Sequence, residues 1–180
     1  ALGRFLHKLV RHEKELEGCL ESMVERLRQL FPGFGKKLVG DSTDIVAWSN
    51  GHRHQPSDWD AKWGAKKASH WGGKAEGDKK DGKKEDLYYW FGYKLHLLID
   101  ALTELPVSFV VTPANVADTV ELPTLMEKAK LKRPEAKPEA LILDKGYDSQ
   151  NNNDVVYKEY KAAPIIPIRE RERAQLEGIC

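Results

Sequence analysis

The chain has little with which to staple or anchor itself. Its two cysteines among 180 residues, Cys19 and Cys180, form neither a metal-binding spacing nor a disulfide framework, which fits a reducing compartment. No apolar run approaches the roughly 20 residues that a membrane span requires, and no signal peptide opens the sequence. A membrane partner is therefore not expected, and a cytoplasmic location is. Charge of one sign is lacking as well. The 29 basic residues against 28 acidic ones leave a net charge of +1, so a nucleic-acid surface would have to arise from local clustering. An initiator methionine is absent, and the final residues fall in a charged, helix-prone stretch. The chain is accordingly expected to be a piece of a longer protein.

What is present suits one globular core. Hydrophobic residues make up 41% of the chain, enough for a single substantial domain at this length. Apolar side chains from Phe5 to Leu30 recur at helical spacing, which predicts an amphipathic N-terminal segment over 1–34, broken near Gly18. The remainder, 35–180, reads as one α/β domain with a mixed sheet. Within it, 50–87 is a Gly-, Lys- and Asp-rich insertion that carries Trp59, Trp63 and Trp71 and buries too little apolar surface to order itself fully. Strands are predicted over Lys37–Trp48, Tyr88–Thr103, Leu105–Val111, Ala140–Asp144 and Ala163–Ile168. Pro164 and Pro167 mark the last as short or at an edge. Asp118-Thr119-Val120-Glu121 has capping-box spacing, with Pro123 expected as the first residue of the helix that follows. A second helix, capped by Asp148 or Ser149, is predicted to run to about Lys161.

Two apolar runs each deliver an aspartate into small, turn-forming residues: Lys37-Leu38-Val39-Gly40-Asp41-Ser42-Thr43 and Leu141-Ile142-Leu143-Asp144-Lys145-Gly146-Tyr147. Hard divalent cations prefer oxygen ligands, and strand-borne carboxylates are stiffly held. Phosphodiester chemistry commonly uses two such ions about 3.5–4 Å apart. Asp41 and Asp144 are thus candidate metal ligands, against the plainer reading of two polar turns. Lys94 and His96 share a strand face and are candidate phosphate or DNA contacts, or equally its solvent side. Asp44, three residues beyond Asp41, falls on the opposite face. Lysines of the insertion, among them Lys62 and Lys66, suggest either a DNA-tracking segment with stacking tryptophans or a solvated linker.

In order and spacing, Gly40-Asp41-Ser42-Thr43, Phe91-Gly92-Tyr93-Lys94-Leu95-His96, Leu105-Pro106, Thr112-Pro113-Ala114-Asn115-Val116-Ala117-Asp118 and Leu143-Asp144-Lys145-Gly146-Tyr147-Asp148-Ser149 resemble the DDE transposases of bacterial insertion sequences. The likeness covers roughly residues 35 to 170. It implies a ribonuclease H-like mixed sheet flanked by helices, with Asp41 and Asp144 as the first two catalytic, metal-binding carboxylates. It also implies Mg²⁺, replaceable by Mn²⁺ and two ions in the complete enzyme. The partners implied are double-stranded DNA, at transposon ends and target, and a homo-oligomer formed on it, bound to the nucleoid of a bacterial cytoplasm. The third carboxylate of such proteins, a glutamate in a Tyr…Arg…Glu signature, has no counterpart here. Glu170, Glu172 and Glu177 follow the last strand too closely and read as solvated helix charges beside Arg171 and Arg173. Two other readings stand beside the enzyme: a non-catalytic DNA-binding remnant, and a metal-dependent phosphoesterase.

Overall fold

The computed structural model describes residues 9, 11–67, 87–129 and 137–168. Helix α1 (Glu13–Leu30) passes through Gly18 without a break, where the sequence had suggested one. An added Cβ at Gly18 would meet nothing within 4 Å, so the residue marks an open face of the helix. α1 turns Val24, with Leu20 and Leu27, against the main core. The Arg28 guanidinium donates to the Ala129 carbonyl at 3.0 Å, tying α1 to the end of a later helix.

Six strands form one mixed sheet. β1 (Lys37–Val46) lies at its centre, antiparallel to β3 (Leu87–Asp100) on one side and parallel to β5 (Ala140–Leu143) on the other. β6 (Ala163–Ile165) pairs parallel with β5 at the far edge, only three residues long, as its prolines demand. Beyond β1, the long β3 carries two partners in succession. β2 (Lys62–Lys67) pairs with its first half and β4 (Pro106–Pro113) with its second. With β2 set aside, the order β4-β3-β1-β5-β6 is that of the expected ribonuclease H-like sheet.

Part of the insertion thus forms a strand, β2, which the sequence reading did not predict. β2 has no apolar alternation of its own, and the β3 edge supplies its hydrogen bonds. Residues 68–86, with Trp71 and several of the lysines, lie outside the described residues, as do 169–180 with Glu170, Glu172 and Glu177.

The core lies on one face of the sheet. Leu38, Leu98, Leu141 and Leu143 meet Leu122, Leu125 and Met126 of helix α2 (Asp118–Lys128), all but Leu143 at zero exposure. α2 begins at Asp118, not at Pro123, and Ala117 is its uncapped N-cap residue. Pro123 thus sits inside the helix and has no N–H for the carbonyl four residues back. That carbonyl, Thr119, instead accepts from the Asn152 side-chain amide at 3.0 Å. Asn152 belongs to α3 (Gln150–Asp154), whose N-cap Ser149 accepts from the Asn152 backbone N–H. α3 widens into a π-helical turn over Val155–Glu159, completing the helix expected to reach about Lys161.

Candidate functional site

Asp41 lies within β1 rather than at its end, while Asp144 is the first residue past β5. The parallel register couples them. Gly40 pairs with Leu143, so Asp41 and Asp144 stand one step further along the same ladder. Neighbouring strands lie about 5 Å apart, and alternation turns both aspartates away from the buried face that Gly40 and Leu143 share. The approach here is close. A Cβ at Gly40 would lie 2.5 Å from Leu143 Cδ2 and 3.3 Å from Leu98 Cδ1.

Both carboxylates are exposed, and among the described residues neither has an ion-pair partner. Asp41 Oδ1 accepts from the Ser42 N–H at 2.7 Å, and Asp144 makes no capping bond to the 3₁₀ turn Lys145–Tyr147 that it introduces. Two adjacent, uncompensated carboxylates with no sulfur or imidazole donor form an oxygen-only set that fits a hard divalent cation. The negative field extends beneath them. Tyr147 is buried, and that burial, together with the carboxylates of Asp118, Asp41, Asp144 and Glu121, pushes its phenol well above the ordinary tyrosine range. Among the described residues, no group of three or more His, Cys, Asp or Glu side chains converges as a metal site.

Lys94 and His96 lie on the other face of the sheet from Asp41, beneath this pair. Lys94 Nζ donates to the Val116 carbonyl at 2.9 Å and to Asp118 Oδ1 at 3.0 Å. His96, at 0% exposure, bonds through Nδ1 to the Tyr147 hydroxyl and through Nε2 to Thr112 Oγ1, each at 3.0 Å. Burial holds its imidazole below the usual histidine range, and Lys94 adds to this. The Asp118 and Glu121 carboxylates pull the other way without prevailing. Neither side chain reaches into solvent as a DNA contact does. Both belong to a polar network that underlies the turn after Asp144.

Asp118 is the hub of that network. It ion-pairs with Lys94, lies 3.9 Å from His96, and abuts the turn so closely that a Cβ at Gly146 would be 2.8 Å from Asp118 Oδ2. Asn152 closes the underside by donating to the Tyr147 carbonyl at 2.8 Å. Sequence reasoning assigned Asp118 to a cap, because the approach of a distant turn leaves no local signal. Asp44 points to the face opposite Asp41, as its spacing required, and is neutralised by Lys66. Asp148 is buried at the end of the turn, whereas Asn115 is exposed.

A family model described as the transposase DDE domain matches residues 32–178. No curated protein and no solved structure matches the chain.

Proposed function

From the chain's membership of the DDE transposase family, we propose that Asp41 and Asp144 are its first two catalytic carboxylates, serving the cutting and joining of DNA at transposon ends. The observation that carries this reading is the β1–β5 register. It sets two exposed carboxylates, without an ion-pair partner among the described residues, side by side, one within the central strand and one just past its neighbour.

Asp41 and Asp144 would hold divalent cations, Mg²⁺ or Mn²⁺. Bound there, such ions activate the attacking oxygen and stabilise the leaving oxygen of a phosphodiester. The protein's own part is to fix the carboxylates. Gly40 and Leu143 set their separation, and the Lys94–Asp118–His96–Tyr147 network keeps the turn after Asp144 from shifting. No protein nucleophile is implied. Water opens the strand at the transposon end, and the freed 3′-hydroxyl then attacks the target. This reading assigns no residue of the chain as the third carboxylate of the set.

Mn²⁺ titration of the 180-residue chain, followed by electron paramagnetic resonance, tests the assignment. Weak binding is expected, falling by roughly 10–100-fold in Asp41→Asn and in Asp144→Asn, at least the loss seen when a mere supporting group of a metal site is removed. Unchanged Mn²⁺ affinity in both variants would sink the metal assignment.

A further inference from the structure

The described residues after β1, together with the start of β3, carry exposed aromatic surface away from the carboxylate site. Trp48, Trp59, Trp63 and Tyr89 are 105%, 64%, 42% and 58% exposed. Large rings this open, grouped on one part of a surface, mark a place where something else binds. Register relates them to the carboxylates. Trp63 pairs with Phe91 and Ala65 with Tyr89, and Phe91 lies six residues before Leu97, the partner of Asp41. Even spacing places Trp63, Phe91 and Tyr89 on the sheet face of Asp41, the first two about 20 Å along it and Tyr89 about 26 Å.

The row has a firm base. The Trp63 ring makes tilted contacts with His52 and Phe91, ring centroids 4.8 and 5.6 Å away, and keeps part of its surface open. Gly51 sits against Phe91 so tightly that a Cβ there would be 2.4 Å from the ring. Exposed cations lie nearby: Arg53 follows His52, which packs on Trp63, while Lys62, one residue from Trp63, falls on the reverse face of β2. Arg53 and Lys62 are exposed and have no carboxylate partner among the described residues. Lys62 Nζ donates only to the Trp59 carbonyl, at 2.8 Å, so its charge stays uncompensated. The lysines of β2 also disfavour strand addition by a second copy of the chain, since charged edges resist such pairing. Open π-faces beside free positive charge match a polyanion that carries flat rings of its own.

We propose that Trp63 and Tyr89, with the exposed Arg53 that follows His52 beside Trp63, form a stacking platform for unpaired DNA bases on the carboxylate face. The inference rests on the DNA-processing reading above and adds where the strand lies. A span of about 20 Å equals about six base steps at 3.4 Å, so a DNA strand held at Asp41 and Asp144 reaches the platform within its first turn. Stacking takes any base, and the platform therefore grips frayed or single-stranded DNA without reading its sequence.

The test is fluorescence anisotropy of the full chain, in EDTA, with a labelled 20-nucleotide single strand and with its blunt duplex. The single strand is expected to bind more tightly than the duplex. Trp63→Ala and Tyr89→Ala should each weaken single-strand binding by roughly 5–150-fold, the range of one lost base stack. Duplex binding should change by less than about two-fold, and Arg53→Ala should lower the salt slope by about 0.7. Tyr89 faces only Ala65 across the ladder, so its removal tests the platform even if Trp63→Ala unfolds the β2 edge. Unchanged single-strand affinity in both natively folded variants overturns the platform. Loss of a concentration-dependent self-association in those same variants also overturns it, and names a second copy as the occupant. Because EDTA removes any metal dependence, these results are separable from the Mn²⁺ titration. Failure of the wild-type chain to bind either DNA form would overturn the DNA-processing reading itself.

Discussion

His96 shows how one residue can be legible in type and misread in place. Its alternation with Leu95 and Leu97 located the strand correctly, but alternation alone cannot say which face is covered. The covering elements, α2 and the Lys145–Tyr147 turn, arrive from elsewhere in the chain. Its burial has a consequence with a definite sign. A histidine whose folded pKa lies below the ordinary value of 6.5 is protonated first in the unfolded chain. It therefore contributes stability above about pH 6.5, and that contribution is lost as pH falls from there towards the folded value. Urea unfolding from pH 8 to 5 should show stability declining below about pH 6.5, with a His96 contribution of at most about 1.4 kcal/mol per pH unit. His96→Gln should flatten that part of the profile while lowering stability at pH 8. An unaltered slope would place the titration on another group.

At the level of elements, the joint between α2 and α3 was hidden from sequence for a physical reason. A proline six residues into a helix argues for a later start, since its missing N–H orphans a carbonyl. Only the folded chain brings Asn152 to that carbonyl. Asn152→Ala should cost about 2–4 kcal/mol, because the Thr119 and Tyr147 carbonyls both lose a buried donor. Pro123→Ala restores an N–H four residues after Thr119. It should therefore recover more stability in the Asn152→Ala background than it adds to the wild type, as a double-mutant cycle by urea denaturation would show. Strictly additive effects would deny the coupling. β2 escaped notice for a similar reason, since Lys62-Trp63-Gly64-Ala65-Lys66-Lys67 has no apolar alternation and is a strand only by virtue of its partner. The strands that sequence did reveal are those whose own side chains divide into buried and exposed sets, or are apolar throughout. Asp41 and Asp144 were legible because each follows such a run, while the ladder that unites them is a long-range fact.

For the whole molecule, the helix α1 and the sheet share one core. Val24 packs with Val107 and Ala129 and is 3% exposed, although it lies before the first residue of the family match. Val24→Ala should cost about 1–3 kcal/mol and move the midpoint of a single cooperative thermal transition. A separate early transition would instead show α1 unfolding on its own.

The β1–β5 ladder also bears on how this chain can change over evolutionary time. The interval between the carboxylates is written in backbone hydrogen bonds, not in side chains, so substitutions can abolish the site but have little means to adjust it. Growth of the chain has room at the opposite margin, since the described strand of the excursion after Val46 pairs with β3 and not with β5. New binding surface can accumulate there, as the aromatic row has, while the spacing of Asp41 and Asp144 is inherited unchanged.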